Sequence, residues 1–296
     1  MYSDYTAVHW LFFFYFYCFF GWCFESAYVS LRCKRLVNRG FMRGPFLPLY
    51  GSGGIMMLLV SMPFQDNLFW VYVAGCIGAT LLEYVTGVTM EAIFKVRYWD
   101  YSNQRFNFQG HICLSSSLAW GGLTILMTEW MHKPVERLAM GLPMSVLTVV
   151  VMVVTAIVCA DFALSFKAAL DLRDVLVKME KAKEELAHIQ KRLDVVIALA
   201  NEELAERKDA ITESIALRRE EWNESIEEHR ENIREELFEL RLKYRGILEE
   251  RKQLSHLKDF FQRDMLRAHP SMSSVKFKEA LEEFKRRVEE LKDDSA

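Results

Sequence analysis

Four carboxylates occupy places where a carboxylate is costly. Glu25, Glu83, Glu91 and Asp161 fall within or near the ends of long apolar runs. Ionisable groups in such surroundings face a bundle interior or a watered cavity, and they pair with a cation or mark a path for a solute, ion or proton. Cations lie close by in sequence. The stretch "FESAYVSLRCKRLVNRGFMRGPFLPLYGSGG" (Phe24–Gly54) carries Arg32, Lys34, Arg35, Arg39 and Arg43 between Glu25 and a cluster of prolines and glycines. Glu91 and Asp161 sit close enough to segment ends to be solvated. Glu25 and Glu83 are deeper. Two readings are open for them: pairing with Arg39, Arg43 or Arg105 to lock the fold, or lining a ligand or ion pathway. Asn38, Arg39, Arg43 and the broken backbone around Pro45 and Pro48 would then join Glu25 and Glu83 in one polar site.

Other chemistry is excluded by the motifs. There is no G-x-x-x-x-G-K-[ST], no H-E-x-x-H and no G-x-S-x-G. "GSGG" at Gly51–Gly54 lacks the following lysine and reads as a packing feature. Cys18, Cys23, Cys33, Cys76, Cys113 and Cys159 form no C-x-x-C pair and no zinc spacing, so they read as small apolar fillers. The expectation is a protein that is not an enzyme, with no catalytic residue, no metal and no cofactor.

The elements that position these residues follow from composition. Residues 1–166 hold 10 of the 37 Lys+Arg and 9 of the 40 Asp+Glu, leaving 27 and 31 for the rest. The first region is therefore apolar and the second highly charged. A span needs about 20 mainly apolar residues. Residues 8–31, 68–94, 111–130 and 142–166 qualify. A fifth span over 45–62 has only a short helical part, Leu49–Met62, so its remainder must be an irregular lead-in packed against other helices. The loop after the first span holds five basic residues, and the loop after the third holds Lys95, Arg97 and Arg105. The loop "PFQDN" holds none, and "MHKPVERLAMG" balances Lys133 and Arg137 with Glu136. The positive-inside bias then puts the N-terminus outside and the C-terminus in the cytoplasm of a multi-pass cell-membrane protein. In the third loop, Trp99, Tyr101 and Phe106 are either headgroup-level anchors or the mouth of a pocket.

Beyond residue 166 the pattern changes. Neither glycine nor proline occurs between Pro143 and Gly246. Apolar residues at Leu172, Val175, Met179, Ala182, Leu186, Ile189, Leu193, Val196 and Ala200 alternate steps of three and four, a heptad seam. Ile211, Trp222, Ile233 and Tyr244 then follow at a spacing of 11, as do Ile215, Ile226, Leu237 and Leu248. This predicts a cytoplasmic coiled coil over 167–268, self-paired or folded back on itself. A short amphipathic helix over 269–296 follows, with Phe277, Leu281, Phe284, Val288 and Leu291 on one stripe. Mixed charge with an acidic excess argues against nucleic acid.

The blocks "FFGWCFES", "NRGFMRGPFLPLYGSGG", "LEYVTG", "MEAIF", "RYWDYS" and "FNFQGHICLSSSLAWG" resemble a bacterial membrane family named for ABC-transporter permeases, CmpB-like or type IV. The resemblance covers about Leu11–Trp130 and leaves out the charged tail. It implies transport with a separate ATPase subunit. Carried over by motif, it adds Tyr50, Trp99, Asp100, Tyr101 and Asn107 to Glu25, Asn38, Arg39, Arg43 and Glu83 as the candidate polar membrane site. It also marks Gly40, Gly44, Pro45, Gly51, Ser102 and Gly110.

The expected fold is all-α: a transmembrane helical bundle of about five spans (1–166) followed by a long coiled-coil helix. The expected function is a permease-type component that binds or moves a small polar solute with a separate ATPase. The alternative is a non-enzymatic membrane anchor whose coiled coil assembles partner proteins or copies of itself. A membrane enzyme acting on lipid headgroups has only the Glu/Asp/Arg clustering behind it. The expected partners are the lipid bilayer, an ATPase subunit and a coiled-coil partner.

Overall fold

Helix α1 (Ala7–Cys33) is an almost unbroken aromatic and aliphatic run that stops where Lys34 turns left-handed, φ 51°. The computed structural model describes residues 5–210, 219–255, 265–266, 268–269 and 271–293. Within these the regular structure is helical apart from one small hairpin and an isolated bridge, with irregular loops between the helices. It divides into two compact units, residues 1–174 with 258–296, and residues 175–257.

In the first unit, residues 34–47 are irregular, as the prolines require, and the Leu47 N–H donates to the Cys18 carbonyl of α1 at 3.0 Å. Helix α2 (Pro48–Ser61) starts with proline in its first turn, where the missing N–H has no helical partner to lose. A 3₁₀ turn (Met62–Phe64) extends it. Helix α3 (Leu68–Phe94) is capped by Asn67, whose side chain accepts the Phe69 N–H at 3.0 Å, and ends at left-handed Lys95, φ 61°. Strands β1 (Asn107–Phe108) and β2 (Ile112–Cys113) pair antiparallel, Asn107 opposite Cys113 and Phe108 opposite Ile112. Their turn needs Gly110 at φ 75°, where a side chain would also strike Ser102 and Arg97. Helix α4 (Leu114–Leu126), a π turn (Met127–Met131), α5 (His132–Gly141) and α6 (Met144–Ala210) complete the series.

Three of these helices are long and apolar enough to cross a membrane: α1, α3, and α6 within Met144–Leu199. Helix α2 with its 3₁₀ turn is a shorter apolar helix. Residues 131–141, expected as a loop, form α5 instead. His132, Val135 and Ala139 are buried on one face, an i, i+3, i+7 stripe that closes the core beside Phe13, Tyr17, Met57 and Leu58. The segments alternate in direction. At one end, Tyr5 before α1 bonds His132 of α5 at 3.1 Å. At the other end, the Gly44 N–H after α1 bonds Asp161 of α6 at 2.8 Å, and Arg173 reaches the Ile93 carbonyl of α3 at 3.4 Å. Glycine lets the helices approach closely: a Cβ on Gly51 of α2 would overlap Cys18 Sγ, and one on Gly75 of α3 would overlap Thr124 of α4.

The first unit also contains a segment distant in sequence. Residues 265–286 include buried Met265, Leu266, Ala268, His269, Met272, Phe277, Ala280, Leu281 and Phe284. The last three lie on helix α8 (Lys278–Asp293), which begins nine residues later than the helix expected over 269–296. Val288 and Leu291 lie outside the described side chains. Arg97 and Ser273 form an antiparallel bridge, with N–H···O distances of 2.7 and 3.0 Å.

The second unit holds the distal part of α6 and helix α7 (Arg219–Ser255). One cluster contains Ile189, Leu193 and Val196 with Ile233, Leu237, Leu240 and Tyr244. Arg192 donates to Glu236 at 3.1 Å from Nε and 2.8 Å from Nη2. A single straight helix would hold those two residues roughly 66 Å apart at 1.5 Å per residue. Within this unit the chain therefore folds back on itself, the second of the two arrangements left open for the charged tail. Of the 11-spaced series, Ile211 and Ile215 lie outside the described residues, as do the side chains of Trp222 and Ile226.

Candidate functional site

Glu25 lies on α1 one turn beyond Gly21. Its Oε2 accepts the Tyr50 hydroxyl of α2 at 2.6 Å and its Oε1 faces Arg39 Nε at 3.3 Å. The pairing with arginine expected for one of the two deep acids is thus found at Glu25. The Arg39 N–H is fixed by Ser26 Oγ at 3.1 Å, and its Nη1 donates to the Ala268 carbonyl at 2.8 Å. Asn38 links the same loop internally: its Oδ1 accepts the Trp22 indole N–H, and its Nδ2 donates to the Arg43 carbonyl at 2.7 Å.

Glu83, on α3, is only 5% exposed. Its Oε1 accepts the Tyr101 hydroxyl at 3.0 Å, and its Oε2 accepts Trp120 Nε1 at 3.0 Å and Ser116 Oγ at 3.3 Å. Ser116 and Trp120 are four apart, so α4 presents both to the same point. Among the described residues, every donor to Glu83 is neutral. Arg105, offered above as a partner for an acid, instead lies 6.0 Å over the Phe106 ring. The Arg43 carbonyl accepts the Asn38 side-chain N–H, as described, and Arg43 is not among the donors to Glu83 in these bonds.

Tyr101 bonds Glu83 directly and lies near enough to Glu25 to feel its charge. Burial pushes its phenol up from the ordinary range, the adjoining Glu83 charge adds to this, and Glu25 contributes as well. Its hydroxyl, bonded to Glu83, is directed at the buried acid. Phe106 is 75% exposed. Trp99 Nε1 donates to the His111 carbonyl at 2.9 Å. Asn107 ties the loop together through the Ser102 and Gln104 carbonyls and the Gly110 N–H. Asp100 accepts from the Ser102 hydroxyl and N–H and, at 2.8 Å, from Ser273 Oγ. Burial alone would raise the Asp100 carboxyl, but these donors and the Arg97 charge outweigh it and leave it lowered.

The ten residues therefore take three roles. Glu25, Arg39, Tyr50, Glu83 and Tyr101 form a polar cluster inside the helices. Asn38 and Arg43 shape the loop behind Arg39. Trp99, Asp100 and Asn107 build the loop that delivers Tyr101. Glu91 and Asp161 are not simply solvated: Glu91 pairs with Arg97 at 2.8 Å and His111 at 3.0 Å, and Asp161 accepts the Gly44 N–H.

Ser116, Trp120 and the segment around Ala268 were missed. The i, i+4 Ser/Trp pair in "LSSSLAW" was a usable signal for α4. For the distant segment, only the polar break "HPSMSS" hinted at a non-helical contact.

A carboxylate held by three neutral donors in apolar surroundings retains a demand for positive charge. The cluster can hold a proton, a cation or a protonated amine at Glu83 beside a pre-paired Glu25–Arg39. Comparison with known proteins fits a membrane role. No curated protein and no solved structure matches the chain. The sequence does match the family described as "Putative ABC-transporter type IV" over residues 12–166, the stretch that holds the whole cluster. With more than half of its 296 residues inside that match, the chain belongs to this family of ABC-transporter-type membrane proteins.

Proposed function

We propose that the protein is the non-enzymatic, membrane-embedded component of an ABC-type transporter. It binds a small polar solute bearing a positive group at Glu83 and works with a separate ATPase subunit. The observation that carries this reading is the burial of Glu83 among Tyr101, Ser116 and Trp120 with no cation among its donors. A purely structural acid would be expected to have a counter-charge, as Glu25 does.

This reading takes the three long apolar helices together with two shorter ones as five spans. Helix α2 with its 3₁₀ turn measures about 27 Å, and α4 with its π turn about the same, close to the ~30 Å hydrocarbon core. The N-terminus then lies outside. The basic loops after α1 and α3 meet on one side, with Arg39 and Arg97 both bonded to residues 268–273, which fits a cytoplasmic location for that face. The test is Glu83→Gln in cells lacking the native gene, combined with purification of the wild type from native membranes. Normal membrane levels with lost complementation, and an ATPase subunit that co-purifies, are the expected results. Retained complementation would sink the assignment of Glu83.

A second reading, an anchor that assembles partners or copies of itself, draws on the 175–257 unit. Phe238 is 66% exposed, Leu242 60% and Leu199 58%, so the paired helices leave apolar surface beyond their own seam. Sedimentation of the 175–257 fragment at tens of micromolar tests it: a monomer removes the self-association arm.

A further inference from the structure

The surface of α3 turned away from the bundle carries a continuous apolar stripe. Ile77 is 65% exposed, Leu81 58% and Val85 52%, and Val88 and Ala92 extend the line toward the helix end. The stripe connects two clefts. One, of about 450 Å³, is lined mainly by Ile77, Leu81, Tyr84, Phe108 and Ile112, with Thr80 and Ser117 also on its wall, and its open surface is largely apolar. The other, of about 350 Å³, is lined by Val88, Ala92, Lys95, Gln109, His111 and Lys276. Tyr84 and Gln109 mark the boundary between them, joined by a hydrogen bond of 3.1 Å.

The polar cleft has a net positive wall. Glu91 also lines it, but its charge is matched by Arg97 at 2.8 Å and approached by His111 at 3.0 Å. Lys95 takes part in no ion pair among the described residues. Lys276 rests 5.6 Å over the Phe277 ring, a contact that leaves its charge uncompensated. A helix C-terminus ordinarily repels anions through its open carbonyls. Here those carbonyls have donors: Lys95 N–H on Glu91, Arg173 on Ile93, and Ser274 Oγ on Lys95.

We infer that this face of α3 is a binding site for an anionic phospholipid, with the phosphate between Lys95 and Lys276 and an acyl chain along Ile77–Val88. The inference rests on α3 spanning a membrane. Length and charge select this occupant. Lys95 to Leu81 covers roughly 21 Å of helix, which matches the ~20 Å of one leaflet with its headgroup layer. The two lysines stand at the end of the stripe, at headgroup depth. A soluble phosphate would use the lysines alone and leave the apolar cleft unexplained. A zwitterionic lipid would bring its own cation against them.

The experiment uses the full chain in detergent, with native mass spectrometry counting retained dioleoyl-phosphatidylglycerol and dioleoyl-phosphatidylcholine. Preferential retention of the anionic lipid is expected. In Lys95→Gln/Lys276→Gln that retention should fall on the order of tenfold, given the usual worth of two lysines near a lipid surface, with phosphatidylcholine unchanged. Unaltered retention in a folded double variant overturns the site. So does displacement of the lipid by glycerol phosphate, which would identify a soluble-phosphate pocket. Should the double variant not fold, wild-type protein is photolabelled with phosphatidylglycerol carrying a diazirine in one acyl chain. Adducts on Ile77–Tyr84 or Phe108 support the site. Adducts confined to other helices, or chain-to-chain cross-links through Leu81 in place of lipid, refute it.

Discussion

The imidazole of His269 stands edge-on to the phenol ring of Tyr98, with centroids 4.9 Å apart and an interplanar angle of 88°. The contact spans 171 residues of sequence and fixes one end of the 265–286 segment against the loop after α3. Burial pulls the His269 pKa down to about 3, the Arg39 charge lowers it further, its bond to the Met265 carbonyl opposes the shift, and Lys285 adds a second repelling cation. A neutral imidazole is thus part of the docked state. Protonation favours release, so docking is fully stable above the free value of about 6.5 and weakens as pH falls toward 3, by ~1.4 kcal/mol per unit. Hydrogen exchange at residues 265–286, corrected for intrinsic rates, should quicken between pH 7.5 and pH 5. His269→Phe should remove that pH dependence.

Arg39 serves two partners, Glu25 and the Ala268 carbonyl. Arg39→Gln leaves a largely buried carboxylate without its counter-charge. Because the Glu25 side chain is 24% exposed, the cost should be about 1–3 kcal/mol, below that of a fully buried pair. Thermal unfolding of Arg39→Gln, Glu25→Gln and the double variant closes a cycle. A double variant less stable than the wild type by the sum of the two single effects would exclude coupling between the two residues.

The three donors to Glu83 predict an ordering of variants. Glu83→Gln keeps an acceptor oxygen and should lose about 1 kcal/mol. Glu83→Leu leaves the Tyr101, Ser116 and Trp120 donors without their acceptor and should lose about 2–4 kcal/mol. Denaturation in detergent monitored by tryptophan fluorescence would separate them. Equal stability of the two variants would contradict the geometry.

Gly51 and Gly53 are two residues apart and should respond oppositely to alanine. A methyl on Gly51 meets Cys18 and Phe14, whereas one on Gly53 meets nothing within 4 Å. Gly51→Ala should lower the melting temperature of the purified protein through loss of α1–α2 contact. Gly53→Ala should leave it unchanged or raise it, since alanine is the better helix former by up to ~1 kcal/mol.

Much of the framework was legible because membrane-length apolar runs and their breakers are local signals. The bounds of α3 coincide with the apolar run Leu68–Phe94, and Pro48 marks the start of α2. The heptad seam likewise identified a buried face, with Leu172, Met179, Leu186, Ile189 and Val196 all buried. It carried no information on where the helix would turn back, because a seam records that a partner exists and not which chain segment supplies it. The Glu25–Arg39 pair could be guessed from a basic loop directly after an acid. The partners of Glu83 could not, since hydroxyl and indole donors are common in apolar helices and only the packing of α3 on α4 selects Ser116 and Trp120. Helix α5 was hidden by Pro134, which reads as a breaker but is accommodated just after the π turn.

The bridge between Arg97 and Ser273 has a temporal consequence. At ordinary rates of synthesis, about 5–20 residues per second, roughly 10–35 s separate the two residues at the ribosome. Through that interval Tyr98 and its neighbours have been made but the strand that covers them has not. Whatever the bundle becomes in the meantime, it must wait in an unfinished form, with a surface available to a chaperone or a competing segment. Stalling translation before Ser273 should therefore trap a nascent chain whose Tyr98 loop is open to protease.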